Sequence, residues 1–182
     1  ASSIKGKKKR KTEVRPGLEK LAPCLSSLKK WFQKSNLPLT EQQYKQLWLY
    51  HKLLREKNAE YDLTRLYQFD NMVQKHYIDC ILVAKLLKGH LPSPILDVGT
   101  GAGFPAIPLK IVCPDTEFIL SEGRHKRVQF LHEVIDALGL KKIEIYERKI
   151  YDSYSRPVKG VITRAVESIP LTLGRVKRSV VP

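Results

Sequence analysis

Acid is what this sequence is short of. Its 182 residues hold 18 aspartates and glutamates against 33 lysines and arginines, a formal net charge of +15. A surplus of that size points to a polyanionic partner, either nucleic acid or an acidic membrane surface. Cysteine is scarce as well. Cys24, Cys80 and Cys113 stand far apart, no Cys-x-x-Cys pair occurs, and the five histidines form no His-Glu-x-x-His. These absences argue against a zinc site or a disulfide framework, so no metal is expected and a reducing compartment, the cytoplasm, is the natural reading. No apolar run approaches the roughly 18 residues needed to span a bilayer. No apolar N-terminal stretch reads as a signal peptide.

What is present suits one domain with a real core, since 42% of the residues are hydrophobic. The charge is uneven. Residues 1–20 carry eight basic and two acidic side chains, a net +6, and the remainder carries +9. Residues 1–17 read as a disordered basic arm ending at Pro16-Gly17. A solvated tail, an arm gripping phosphates without sequence preference, and a targeting signal all fit that composition.

Residues 18–90 read as a mostly helical N-terminal part, with no plausible long strand. Leu18, Leu21, Leu25, Leu28 and Phe32 recur at helical steps, and Asn36-Leu37-Pro38 breaks the pattern. Thr40 with Gln43 three residues on signals a second helix start. Tyr44, Leu47, Trp48 and Leu54 continue its apolar face, and helix resumes from about Asp70 to Lys88. From 91 onward the texture changes. Short apolar runs at 94–98, 118–120, 143–146 and 161–162 alternate with helical patterns at 104–112, 125–138 and near 168–179. Strands alternating with helices imply a parallel sheet covered on both faces, an α/β fold.

The informative stretch is Asp97-Val-Gly99-Thr-Gly101-Ala-Gly103-Phe-Pro105, which follows a strand and opens a helix. A dinucleotide fingerprint would need a third glycine at 104, which is Phe104. That disfavours a nicotinamide-dependent oxidoreductase and suits a loop that cradles a nucleoside bearing an amino-acid tail. Glu122 ends the second strand, 19 residues after Gly103, where a carboxylate can accept from both ribose hydroxyls.

Residues of about 58 to 168 resemble the ribosomal RNA small-subunit methyltransferase G family, also called glucose-inhibited division protein B. The matching stretches are Tyr61-Asp62-Leu63-Thr64, His76-Tyr-Ile-Asp79, Asp97 through Leu109, Lys126-Arg127-Val-Gln-Phe-Leu131 and Gly160-Val-Ile-Thr-Arg-Ala165. The resemblance implies a Rossmann-like class I methyltransferase sheet behind a helical N-terminal cap at 18–90, with the core at 91–182. It implies S-adenosylmethionine as methyl donor and N7 of a guanine in 16S, small-subunit ribosomal RNA as acceptor. The implied partner is that RNA or the ribosomal particle, and the protein is expected to be a cytoplasmic monomer in ribosome biogenesis. Carried over by position, Asp97, Gly99, Thr100, Gly101, Gly103, Phe104, Glu122, Ile150 and Arg164 are the cofactor-binding candidates. Arg164 and His76 are the catalytic candidates, with Asp79 facing the pocket beside His76. Lys126, Arg127 and Lys149 are the RNA-binding candidates, and no metal is implied.

The chain departs from the family at Asp62, where asparagine is usual, and at Lys149, Tyr151 and Lys159. Lysine at 149 keeps a charge but lacks the planar fork of arginine. The implied sheet also has more strands than the four visible here, so its C-terminal strands are expected to be missing from the chain. A catalytically weak or inactive methyltransferase-fold protein that binds RNA or assists ribosome assembly is the alternative these departures support.

Overall fold

The computed structural model describes residues 23–65, 68–164 and 168–182. The basic arm at 1–17, Leu18, Leu21 and Ala165 lie outside the described residues. Helix α1 (Leu25–Lys34) buries Leu28, Trp31 and Phe32. Helix α2 (Glu41–Tyr61) starts where Thr40 and Gln43 cap each other. The Gln43 N–H donates to Thr40 Oγ1 and the Thr40 N–H to Gln43 Oε1. Its buried positions, Tyr44, Leu47, Tyr50, His51, Leu54, Asn58 and Tyr61, recur every three or four residues and make one continuous stripe. Asp62, in the left-handed conformation at φ 49°, ends it.

The third helical stretch is not uniform. Helix α3 (Phe69–Met72) passes through a π-helical stretch (Val73–Ile78) into α4 (Asp79–Leu86), all on right-handed backbone. The sequence pattern predicts a plain helix here. The wider turn is the difference, and such turns concentrate at functional sites.

The sheet follows. Strand β1 (Ile95–Val98) leads to α5 (Ala106–Val112), β2 (Phe118–Ser121) to α6 (His125–Leu138), and β3 (Ile143–Tyr146) is followed by β4 (Gly160–Thr163) and α7 (Ile169–Val176). All pairings are parallel in the order β3-β2-β1-β4, with Asp97 opposite Leu120 and Ile162. These are the four strands read from the sequence.

Alternation along the strands sorts the core. Ile95, Phe118 and Leu120 join a large apolar cluster with Leu28, Phe32, Leu47 and Leu54 of the helical part and with Leu109, Phe130 and Leu131. Leu96, Val98 and Ile119 face the other way, onto Ile150, Tyr154, Val158 and Val176. The helical part and the sheet therefore share one hydrophobic core. Burying each such side chain contributes about 2 kcal/mol, so the helices are structural partners of the sheet. Asp97 lies on the cap-facing side among these apolar residues and is fully buried.

Candidate functional site

Four strand ends point toward one cleft of about 790 Å³. Val98 and the Gly99–Ala102 loop with Phe104 line it after β1, and Ser121, Glu122, Gly123 and Arg124 after β2. Lys149, Ile150 and Tyr151 follow β3, and Arg164 follows β4. Ligands of open parallel sheets bind at the carboxyl ends of the strands, where the strand order reverses. Here the order reverses at β1, between β2 and β4.

The loop is built from backbone conformations that residues with L side chains rarely adopt. Gly99, Gly101 and Gly103 take φ values of 67°, 62° and 101°. A Cβ on Gly103 would stand 2.5 Å from Ile107 Cγ1 and 3.2 Å from Tyr50 Oη, so no other residue fits without a shift. The Thr100 N–H donates to Ser121 O at 2.9 Å and the Gly103 N–H to Thr100 O at 3.0 Å, tying the loop to β2 and to itself.

Two carboxylates hold this loop from different sides. Glu122 accepts the Gly101 N–H on Oε2 at 3.0 Å and the Arg124 N–H on Oε1 at 2.9 Å. Each oxygen keeps a further lone-pair direction for a ligand hydroxyl. Asp97 does not line the cleft. Its Oδ2 accepts from Thr100 Oγ1 at 2.7 Å and from the Ala106 N–H at 3.3 Å, while Oδ1 is buried without a partner. Burial, reinforced by nearby Glu122, pushes its carboxyl up to about 7 against the pull of the Thr100 and Ala106 bonds. Asp97 thus orders the loop from beneath.

His76 and Arg164, far apart in sequence, meet here. Arg164 Nη1 donates to His76 Nδ1 at 3.0 Å, and its Nη2 donates to the Lys75 carbonyl. His76 Nε2 lies 3.2 Å from Thr64 Oγ1, and its ring stacks on Phe104 at 4.2 Å between centroids and 14° between planes. Burial, with the Arg164 charge beside it, lowers the imidazole to about 4, so it is neutral near pH 7. Since a guanidinium can only donate, Nδ1 must accept and Nε2 carries the proton.

Among the residues predicted from sequence, the cleft brings together Gly99, Thr100, Gly101, Phe104, Glu122, Ile150, Arg164, His76, Arg127 and Lys149. Gly103 and Asp97 support the loop without lining it. Two sit elsewhere. Lys126 is exposed on α6, with Nζ 3.4 Å from the Glu60 carbonyl. Asp79, placed in the pocket by the family resemblance, is exposed and outside the lining. The reading missed Arg124, whose N–H holds Glu122, and Arg175, whose guanidinium lies 5.9 Å over the Tyr151 ring. It also missed Tyr50 behind the loop. Arg124 stood two residues from the acid; nothing local marked the other two.

The lining carries five guanidinium or ammonium groups, Arg124, Arg127, Lys149, Arg164 and Arg175, against Glu122. The mouth is therefore electropositive and suited to a polyanion.

A parallel β3-β2-β1-β4 sheet, a glycine loop after β1 and an acid at the end of β2 define a Rossmann-like class I methyltransferase fold, here with a helical cap. Solved structures share it. A candidate O-methyltransferase from Klebsiella pneumoniae superposes with a TM-score of 0.55 at 16% identity, covering 86% of this chain and 68% of that one. A protein-L-isoaspartate O-methyltransferase gives 0.51 at 13% identity, covering 77% and 47%. Residues 43–174 match the model of the GidB family, rRNA small subunit methyltransferase G, and the chain belongs to that family.

Curated relatives agree. Ribosomal RNA small subunit methyltransferase G 2 of Syntrophobacter fumaroxidans is 44% identical over 165 residues, 91% of this chain and 31% of its own length. The Bdellovibrio bacteriovorus protein of that name is 43% identical over 138 residues, 76% of this chain and 53% of its own. Ribosomal RNA small subunit methyltransferase G of Photorhabdus laumondii is 39% identical over 147 residues, 80% of this chain and 69% of its own. The chain thus spans about a third to a half of the first two.

Proposed function

We propose that this chain forms the donor-binding part of an S-adenosylmethionine-dependent methyltransferase acting on N7 of a guanine in 16S ribosomal RNA. The observation that carries the reading is Glu122, which grips the Gly101 N–H while facing a cleft of about 790 Å³. The residues suit this donor. The cleft is within the usual size of small-molecule sites, and Glu122 keeps acceptor capacity for ribose hydroxyls. Gly99, Thr100 and Gly101 would hold the amino-acid side, with Ile150 beside the base. When bound, the donor supplies an electrophilic methyl group.

The remaining work belongs to the chain's own side chains. Guanine N7 bears a lone pair and no proton, so no general base is needed and catalysis rests on placement. Neutral His76 and the Lys75 carbonyl each accept an Arg164 N–H, which anchors the charged guanidinium at the mouth with its remaining N–H groups for a ligand. A guanidinium can pair with phosphate oxygens or with guanine O6 and N7. Arg164 is therefore assigned to the RNA, with His76 as its positioning residue and Arg127 and Lys149 as phosphate contacts. The substrate would be small-subunit RNA or its particle, met by a monomer in the cytoplasm. Among the described residues no helix is long and apolar enough to cross a membrane.

The test is transfer of labelled methyl to purified, unmodified small-subunit particles. Label at a guanine N7 is expected, and Arg164→Ala should remove it while leaving donor affinity unchanged. Donor binding without transfer by the unaltered chain would instead favour a non-catalytic RNA-binding role.

A further inference from the structure

Tyr50 sits in the middle of α2 with no exposed surface. Its hydroxyl donates to the Ala102 carbonyl across 2.6 Å, joining residues 52 positions apart. Burial pushes this phenol well above its ordinary range, so it stays protonated and donates. Its ring packs on Phe104 at 5.6 Å, Tyr77 at 6.1 Å and Phe130 at 6.4 Å between centroids. Glu122 takes the Gly101 N–H on the cleft side. The loop is held front and back, and Gly103 lets the backbone come that near to Tyr50.

We propose that Tyr50 is a positioning residue of the donor loop, its hydroxyl fixing the Ala102 carbonyl toward the cap and so pre-shaping the cleft side of the loop. The inference rests on the donor-binding reading of the cleft. A peptide unit is planar, so fixing the Ala102 oxygen also fixes the Gly103 N–H, which bonds to Thr100 O at 3.0 Å. A loop already in its binding shape gives up less conformational freedom when a ligand arrives. Helix α2, which does not line the cleft, would thereby act on donor affinity without touching the donor.

The claim concerns the hydroxyl and not the ring, so Tyr50→Phe is the informative variant. Tyr77→Phe is its control. The Tyr77 hydroxyl bonds to His51 Nδ1 at 2.8 Å within the same aromatic cluster. The experiment uses the 182-residue chain, unaltered and with each substitution. Thermal melting, amide exchange without ligand and calorimetric titration with S-adenosylmethionine are measured on all three. Tyr50→Phe is expected to speed exchange at residues 101–104 and weaken donor binding by about three- to tenfold, the value of one hydrogen bond. Tyr77→Phe should lower the melting temperature comparably and leave both loop readouts unchanged. Unaltered loop exchange in Tyr50→Phe, or equal loss of affinity in both variants, would overturn the proposal. If the unaltered chain takes up no donor, the donor-binding reading fails, and loop exchange alone decides the role of Tyr50.

Discussion

Individual side chains in the cleft divide into those whose role is local in sequence and those that arrive from a distance. Glu122 and the glycines were legible because a strand-loop-helix-strand unit fixes their spacing. The Arg164–His76 bond spans 88 positions, and no spacing in the sequence indicates that these two candidates touch. Tyr50 carries no mark in the sequence, because its partner Ala102 lies 52 positions away. Burial of titratable groups gives this scale its pH dependence. His76 and His51 are lowered from 6.5 to about 4, by burial first and then by Arg164 and Arg55 respectively. Between those values the unfolded chain binds protons that the folded chain refuses, so stability present above about 6.5 is lost as pH falls toward 4. Asp97, raised from 3.8 to about 7, acts in the opposite sense, and its contribution is lost as pH rises through 7. Two histidines outweigh one aspartate, so these groups make the melting temperature rise from about pH 4 to about pH 6.5. His76→Asn should flatten that rise, and an unchanged slope would show that its imidazole is not buried neutral.

At the level of elements, helix periodicity and strand alternation carried most of the fold. The capping box at Thr40 and Gln43 was readable because its two side chains are three residues apart. Thr40→Ala is expected to cost about 1 kcal/mol in chemical denaturation while leaving donor affinity as it was. A loss of affinity would mean that α2 moves as a whole when its first turn loosens. The π-helical stretch at Val73–Ile78 was not readable, since one wider turn barely disturbs an apolar period. It carries His76, which lines the cleft. Asp79 follows immediately in α4 and is exposed outside the cleft lining.

For the whole molecule, charge is the recurring feature. Basic side chains crowd the cleft mouth, and residues 1–20 carry a further net +6. If both contribute to RNA binding, deleting residues 1–17 should weaken affinity for small-subunit RNA and reduce its salt slope, because fewer counterions are released. Donor affinity should not change. An identical salt slope would show that the N-terminal charges take no part. The central claim concerns the cleft itself, and calorimetric titration of the 182-residue chain tests it most directly. S-adenosylmethionine should bind at one site, a nicotinamide dinucleotide should not compete, and Glu122→Ala should abolish most of the affinity with an unchanged circular dichroism spectrum. Equal binding by the unaltered chain and by a folded Glu122→Ala variant would contradict the account.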